Sequence, residues 1–390
     1  MKSVGIICEC NPFHSGHEHL IASARAAGAD VVACVMSGYF VQRGEAAILD
    51  AHTRAEALLC GGADLVLELP FPYSSGSAEF FAAAGVSMLS SLGVEELWFG
   101  SECGDIDLLS RAAEICSSEE FCKRYAEQGE GSSGTAEAYF ALLQEYLGAD
   151  VTCLSNDILG IAYLRAIREQ GSHMRAVTIP RQGSGYSEQD VTSGMHPSAT
   201  AIRRLWKQDG AEAALLHLPA SVREVYRCAE EIADLKHAER AVLSHFRLAS
   251  SASLDQIESL SGGLGARMAT AAQRAATLEE LLQLSATKKY TTARLQRGIL
   301  FALTGITRAD LQRAPAYARL LALNDQGGAW LAQQRKRGGI PVVTRRTDLP
   351  NTPDAKRQAE LEERAYALYT LCRPTTDSAE TLWKQRVVKK

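Results

Sequence analysis

Residues Ser3 to His17 read SVGIICECNPFHSGH and carry the strongest structural signal in the chain. The apolar run Ser3–Cys8 is typical of a buried β-strand, and a helical pattern begins after the turn that follows it. That turn carries His14, Gly16 and His17. A helix N-terminus offers free N–H groups to an anion, Gly16 lets phosphate approach the backbone, and the two histidines can face the same pocket. The stretch therefore predicts a nucleoside triphosphate site, in which charge develops during attack on the α-phosphate.

A metal site is the competing interpretation of this segment. Cys8, Cys10, His14, His17 and His19 lie close together in the sequence, and cysteine and histidine are common zinc ligands. Cys8 belongs to the predicted strand, however, and no second ligand cluster completes a zinc set. We therefore favour the phosphate site and assign no metal ligands.

The composition predicts a multidomain globular protein with a divided charge. Its 390 residues suggest two or three domains. The absence of a long apolar run or a signal-peptide pattern, and ten scattered cysteines, predict a cytoplasmic protein with reduced thiols. Residues 281–390 contain 20 lysines and arginines against 9 aspartates and glutamates, a net charge of +11, whereas the remainder carries −16. The basic part suits a polyanion, although solvated helix faces would explain the charge equally well.

Short apolar runs alternate with helical patterns up to about residue 204, which predicts an α/β fold with a doubly wound parallel sheet. Ligands of such sheets lie beyond the carboxyl ends of the strands. The residues that directly follow predicted strands are therefore expected to line one crevice; they include His14, Ser37, Gly38, Gly100 and Ser101.

Helical patterns dominate the rest of the chain, apart from a strand candidate at Ile340–Val343. We place a boundary near Asp209-Gly210, with a nucleotide-binding domain over residues 1–210 and a mostly α-helical, basic region over residues 211–390.

A second chemical signal is the pattern Ser198-x-Thr200-x-x-Arg203. Hydroxyl groups at a helix start can cap the helix or bind phosphate, and an arginine one turn later can reach the same phosphates with its planar fork. Alone, this pattern would indicate an ordinary helix cap. Its pairing with the histidines upstream favours a phosphate clamp.

The two signals together resemble those of the nucleotidylyltransferase superfamily, which is related to class I aminoacyl-tRNA synthetases. The chain is more closely similar to the bacterial tRNA(Met) cytidine acetate ligase family, over most of its length. The matching segments are Val4–His17, Met36–Gly38, Gln42–Glu45, Gly62–Pro70, Phe99–Glu102, Asn156–Gly160, Pro180–Arg181 and Ser198–Arg203, with a weaker match at Tyr290–Arg297.

The resemblance implies a nucleotidylyltransferase-like N-terminal domain and a two-step reaction. ATP and acetate would give acetyl-adenylate and pyrophosphate, and the acetyl group would pass to N4 of the wobble cytidine of elongator tRNA(Met). We expect His14, His17 and Arg203 to be the catalytic residues. The implied ATP site comprises Ile7, Cys8, Glu9, Cys10, Asn11, Pro12, Phe13, His14, Ser15, Gly16, His17, Glu18, His19, Leu20, Gly100, Asn156 and Arg181, to which we add Ser198 and Thr200.

The sequence departs from the family pattern at Cys10, where an aromatic residue is expected, and this should alter packing near the adenosine. Mg²⁺ is expected to accompany ATP, because the leaving pyrophosphate needs a counter-charge. The segment Gln42–Glu45 is a lid, a tRNA contact or an ordinary mobile surface loop.

Basic residues of the C-terminal region are expected to contact tRNA phosphates. The primary candidates lie at a predicted helix start, and Arg335–Arg337 and the segment Lys384–Lys390 form further clusters. The primary candidates are Lys288, Lys289, Arg294 and Arg297.

Two other functions remain open at this stage. One is a nucleotidylyltransferase that makes a small cofactor, but such an enzyme would not need the basic C-terminal region. The other is a non-catalytic RNA-binding protein with a nucleotide-binding fold, but such a protein would not need the intact catalytic motifs.

Overall fold

The structure is a computed structural model, and it describes residues 1–129, 136–148, 155–181, 197–229, 231–287 and 290–390. Its centre is one eight-stranded sheet. The strands are β1 (Ser3–Cys8), β2 (Val31–Ser37), β3 (Leu65–Leu69), β4 (Glu96–Ser101), β5 (Arg175–Pro180), β6 (Ala318–Leu323), β7 (Val342–Val343) and β8 (Val388–Lys389). The strand order is β5-β4-β1-β2-β3-β6-β7, with β8 paired to β6. Strand β1 pairs in parallel with β2 and with β4; β2 in turn pairs in parallel with β3, and β4 with β5.

The α-helices of the first half connect these strands as the alternating pattern predicts, and those of the second half are mostly short. They are α1 (Ser15–Ala26), α2 (Ala51–Cys60), α3 (Ala78–Ser91), α4 (Ile106–Cys116), α5 (Glu119–Gly129), α6 (Ala136–Leu147), α7 (Ser155–Glu169), α8 (Ala199–Asp209), α9 (Ala211–Leu215), α10 (Ala220–Arg227), α11 (Glu239–Leu248), α12 (Ser251–Asp255), α13 (Leu264–Ala272), α14 (Leu278–Ser285), α15 (Thr292–Thr304), α16 (Arg308–Gln312), α17 (Asp325–Arg337) and α18 (Pro353–Leu371).

Close packing of helices on the sheet depends on two glycines. A Cβ atom at Gly85 of α3 would lie 2.6 Å from the Ile7 side chain of β1, and one at Gly160 of α7 would lie 2.8 Å from Phe99 of β4. Residues on both sides of the predicted domain boundary belong to one hydrophobic core, which extends as far as Leu382. Among the described residues, no helix combines the length and apolarity that a membrane span requires.

The C-terminal region adds three strands to the sheet. The candidate Ile340–Val343 is confirmed by β7, whereas β6 and β8 were not predicted. Strand β6, with sequence ARLLAL, pairs antiparallel with β3 and completes the edge of the parallel sheet. Its pattern does not distinguish a strand from a short buried helix, so the available edge of β3 decides the outcome. Near the predicted boundary, α8 ends at Asp209 and Gly210, with φ +88°, turns the chain into α9. The division at residues 210 and 211 stays a prediction, although the sheet extends across it.

Candidate functional site

The turn after β1 brings the backbone sharply into α1. Cys10 has a φ of 52° although it is not glycine, and the Asn11–Pro12 peptide bond is cis. Cys10 and Asn11 are buried. The Cys10 thiol lies against the Tyr226 hydroxyl, and burial raises the pKa of this thiol well above its ordinary value. The position where the family pattern has an aromatic residue is thus filled by a small side chain with an aromatic neighbour from α10.

His14 and His17 cap the N-terminus of α1 reciprocally. The Gly16 N–H donates to Nδ1 of His14 at 3.0 Å, and the His14 N–H donates to Nδ1 of His17 at 3.2 Å. Because a backbone N–H can only donate, Nδ1 of each neutral imidazole is an acceptor and the proton is on Nε2. The ring centroids are 4.1 Å apart. The pair therefore presents two Nε2–H donors, as phosphate oxygens require.

His17 is held neutral by its surroundings. Its ring stacks on Phe13 with centroids 5.5 Å apart. Burial, reinforced by the cation of Arg181, lowers the pKa of His17 from 6.5 to about 4. At neutral pH this imidazole is therefore a neutral hydrogen-bond donor.

Phe13 anchors the turn to the core. Its ring is fully buried, and its N–H donates to the Tyr226 hydroxyl at 2.8 Å. A Cβ atom at Gly61, directly after α2, would lie 2.2 Å from the ring. Because Gly61 has no side chain, the Phe13 ring packs closely against its backbone. This contact helps to position Phe13 and the next residue, His14.

The structure brings the second motif to the same turn. Arg203 donates from Nη1 to the carbonyl oxygen of Asn11 at 3.0 Å, and from Nη2 to Glu45 Oε2 at 3.3 Å and Thr200 Oγ1 at 3.4 Å. Ser198 is the N-cap of α8, and its hydroxyl accepts from the Ala201 N–H at 3.2 Å. Histidines and guanidinium thus lie on the same side of the molecule.

Glycine and arginine meet at the ends of β4 and β5. The Arg181 N–H donates to the Ser101 carbonyl at 3.0 Å, and a Cβ atom at Gly100 would lie 3.3 Å from the Arg181 side chain. Ser37 and Ser101 themselves are fully buried, so they do not line a surface crevice, contrary to the prediction. A serine at the end of a buried strand is covered by the helices that pack there.

Asn156 occupies the first turn of α7 and is fixed by Glu102. Its Nδ2 donates to Glu102 Oε1 at 2.6 Å, and its N–H donates to Oε2 at 3.1 Å. The Asp157 N–H donates to the same Oε2 at 2.9 Å. The carboxylate therefore caps the helix and orients the amide that the sequence analysis assigns to ATP.

Arg54, to which no sequence pattern pointed, binds the backbone beneath the site. This α2 residue is fully buried. Its Nη1 donates to the carbonyl oxygens of Glu9 at 2.8 Å and Ser37 at 3.0 Å, and its Nη2 donates to that of Gly38. The guanidinium thus joins the carboxyl ends of β1 and β2. Its position within an ordinary amphipathic helix gives no sequence signal for this role.

The segment Gln42–Glu45 is packed into the site. The Gln42 N–H donates to Glu9 Oε1 at 2.9 Å, and its carbonyl accepts from Arg297 Nη1 at 3.4 Å. Gly44 has φ +77°, and a Cβ atom there would lie 2.4 Å from the Arg297 nitrogen. The segment connects α15 of the C-terminal region with the turn between β1 and α1 (residues 9–14), which we call the phosphate turn after its predicted ligand. These contacts on both sides do not fit an ordinary loose surface loop.

The predicted tRNA-binding residues are only partly described. Lys288 and Lys289 lie outside the described residues. Arg294 donates to the carbonyl oxygens of Ser259 and Ser261 and lies 4.9 Å from the Tyr290 ring centroid.

Arg297 is half-buried, and burial lowers its pKa to about 10, with Arg294 adding to the effect. Of the predicted tRNA contacts, Arg297 is the one that lies against the segment Gln42–Glu45 of the candidate site.

The basic cluster Arg335–Arg337 lies at the end of the sheet where β4 begins, opposite the candidate site. It ends α17, whose Gln334 approaches Gly93 just before β4 begins, whereas the candidate site lies where β4 ends. This position separates the cluster from the candidate site.

The described residues do not provide a dedicated metal site. Among them, no three His, Cys, Asp or Glu side chains group closely enough to hold a metal ion. The nine cysteines in this part of the chain are free thiols. The remaining predicted ATP residues lie at the end of β1, in the turn that follows it or within the first two turns of α1; they are Ile7, Cys8, Pro12, Ser15, Glu18, His19 and Leu20.

The sequence is similar to those of known proteins along nearly its whole length. The family model described as HIGH Nucleotidyl Transferase matches residues 1–382. A tRNA(Met) cytidine acetate ligase of Syntrophotalea carbinolica is 38% identical, covering 96% of this chain and 95% of that protein. The ligase of the same name from Bacillus subtilis is 31% identical, covering 95% and 92%.

Two solved structures have the same fold along their whole length. The apo crystal structure of Thermotoga maritima TmcAL (form I) has a TM-score of 0.93 and 29% sequence identity, covering 100% of both chains. The structure of that protein bound with alpha-thio ATP (form II) has a TM-score of 0.91 and 30% identity, again over 100% of both chains. Together with the phosphate turn and its arginine, these matches show that the chain belongs to the tRNA(Met) cytidine acetate ligase family.

Proposed function

We propose that this protein is an ATP-dependent ligase that activates acetate as acetyl-adenylate and transfers the acetyl group to N4 of the wobble cytidine of elongator tRNA(Met). The observation that carries the proposal is the convergence of His14, His17 and Arg203 at one turn. It is supported by a family whose curated members are named for this reaction.

The first step converts a poor electrophile into a reactive one. An acetate oxygen attacks the α-phosphorus, the bond from that phosphorus to the bridging oxygen breaks, and pyrophosphate leaves with the electron pair. The Nε2–H groups of His14 and His17 and the guanidinium of Arg203 stabilise the charge that develops on the phosphate oxygens. Ser198 and Thr200 complete the predicted phosphate clamp at the start of α8, where the Ser198 hydroxyl caps the helix and Thr200 accepts from Arg203.

The remaining predicted residues position the nucleotide. Arg181 lies close enough to His17 to influence its charge, so it suits the phosphates or the ribose. Asn156 suits the base or ribose, because Glu102 fixes its amide at the N-terminus of α7. Fixed donors of this kind lower the barrier by orienting the reactants before the chemical step.

Mg²⁺ stays a prediction to which no protein ligand is assigned. The described residues hold no acidic cluster, and a magnesium ion that arrives with ATP is commonly coordinated by phosphates and water. No step proposed here depends on it.

The decisive measurement is acetate-dependent exchange of labelled pyrophosphate into ATP, with and without tRNA. We expect exchange with acetate and slower exchange with larger carboxylates. An enzyme that makes a small cofactor would need its own acceptor and would show no dependence on acetate. A non-catalytic RNA-binding protein would give no exchange at all.

A further inference from the structure

Glu9 belongs to the predicted ATP site, but its carboxylate has no assigned role in the adenylation step. Its backbone and its side chain are both fixed: the carbonyl accepts from Arg54 Nη1 at 2.8 Å, and Oε1 accepts from the Gln42 N–H at 2.9 Å. The side chain is half-buried at the carboxyl end of β1. Among the described residues, the Gln42 N–H is the one hydrogen-bond donor to this carboxylate, and it occupies Oε1.

The second half of the proposed reaction needs a proton acceptor. The exocyclic amine of cytidine is a weak nucleophile because its lone pair is delocalised into the ring. When its nitrogen bonds to the acetyl carbon, that nitrogen must lose a proton to become an amide. A positioned base that removes this proton contributes typically 10²- to 10⁴-fold to such a step.

The neighbouring groups are poorly suited to accept this proton. His14 and His17 use Nδ1 as acceptors of backbone N–H groups, so their Nε2 atoms carry hydrogen and can only donate. Glu45 pairs with Arg203. Both oxygens of Glu102 accept bonds from the first turn of α7.

We propose that Glu9 is the general base of acetyl transfer, and this inference rests on the proposed function. The N4 nitrogen attacks the carbonyl carbon of acetyl-adenylate, and Glu9 Oε2 takes the N4 proton. The carbonyl carbon–oxygen bond to the adenylate then breaks, and AMP leaves with that electron pair. The proton passes from Glu9 to solvent when the products dissociate.

The surroundings of Glu9 suit a carboxylate that both gains and loses a proton. Burial raises its pKa, while two neighbouring cations lower it and a second carboxylate raises it. A base with a raised pKa holds the abstracted proton more strongly than an ordinary glutamate does. The charged and titratable groups that face it are Arg203 from α8, Arg43 and Glu45 from the adjoining loop, Tyr163 from α7 and Arg54 from α2.

The test separates the two half-reactions in Glu9→Gln, whose amide oxygen can still accept from the Gln42 N–H. Acetate-dependent pyrophosphate exchange reports adenylation, and a single turnover from enzyme-bound acetyl-adenylate to tRNA reports transfer. Because Glu9 also belongs to the predicted ATP site, exchange is measured at saturating ATP. We expect transfer to fall 10²-fold or more, and by at least about tenfold more than exchange falls. Equal losses in both steps, or unimpaired transfer, would overturn the inference. Wild-type enzyme that shows neither reaction would instead refute the proposed function.

Two further measurements keep the inference testable if Glu9→Gln folds poorly. Transfer by the wild type should rise with pH as Glu9 loses its proton and then level off. Glu9→Asp should retain this pH limb at a reduced rate, because its carboxylate is displaced by one methylene group. A transfer rate that falls over the same pH range would show that protonated Glu9 acts as a donor, which contradicts the proposed role.

Discussion

Arg203 Nη1 donates to the carbonyl oxygen of Asn11 at 3.0 Å, across 192 residues of chain. This bond holds the Arg203 guanidinium against the backbone of Asn11, which lies three residues before His14 in the phosphate turn. Because Nη2 also contacts Glu45 and Thr200, the side chain is oriented before any ligand binds. The groups that we propose to catalyse adenylation are therefore preorganised by contacts between distant parts of the sequence.

Replacement of Arg203 should abolish adenylation. Arg203→Met removes a cation aimed at the phosphates, and Arg203→Lys keeps the charge but loses the planar fork. We expect acetate-dependent pyrophosphate exchange to fall about 10²- to 10³-fold for both variants. Arg204→Met is the matched control, because its side chain is exposed on the same helix. Exchange within threefold of wild type in Arg203→Met would contradict the assigned role.

His17→Ala should separate catalysis from RNA binding. It removes one Nε2–H donor and the acceptor that caps the His14 N–H. We expect pyrophosphate exchange to fall about 10²-fold or more, with the dissociation constant for tRNA unchanged within about twofold. Loss of both activities together in a folded variant would show that this division of labour is wrong.

The lowered pKa of His17 should appear in the stability of the protein. An unfolded histidine with a pKa of 6.5 binds its proton before the native one, whose pKa is about 4. The free energy of unfolding should therefore fall as the pH decreases from about 6.5 towards 4. Above that range, the stability associated with the neutral imidazole should be fully present. Urea unfolding at several pH values measures it. His17→Gln should reduce the slope, and an unchanged slope would argue against a neutral buried imidazole.

Gly44→Ala should impair activity through the loop that contacts Arg297. The positive φ and the 2.4 Å approach to the Arg297 backbone nitrogen leave no room for a Cβ atom. Gly28→Ala is the matched control, since Gly28 has φ +87° with nothing within 4 Å of the added atom. We expect the control to cost about 1 kcal/mol of unfolding free energy and Gly44→Ala about 2–3 kcal/mol. Equal melting temperatures of the two variants would contradict this reading of the loop.

The affinity for tRNA should depend steeply on salt, and the basic clusters should differ in their contributions. Alanine at Lys288 and Lys289 should weaken binding and reduce the slope of log K against log salt by up to about 1 per contact. Alanine at Arg335–Arg337, at the end of the sheet opposite the candidate site, should leave both nearly unchanged. Filter binding over a range of salt concentrations tests this. The reverse result would place tRNA at the C-terminal end of α17.

The sequence by itself determined the phosphate turn and the parallel sheet. Strand Ser3–Cys8, the capping histidines and Gly16 form a local unit, because helix capping and strand propensity act over a few residues. The alternation of strands and helices then determined that the carboxyl ends of the parallel strands lie at the same end of the sheet. These features are readable because neighbouring residues carry the whole signal.

Only the tertiary structure decided which distant side chains complete the site. Arg54 reads as an ordinary helical arginine, and its burial beneath two strand ends follows from how α2 packs on the sheet. Strand β6 forms because β3 offers an unpaired edge. Glu9 becomes a fixed carboxylate when Gln42, brought from the next loop, donates to it. Such contacts depend on the three-dimensional closure of the chain, and no local pattern in the sequence records them.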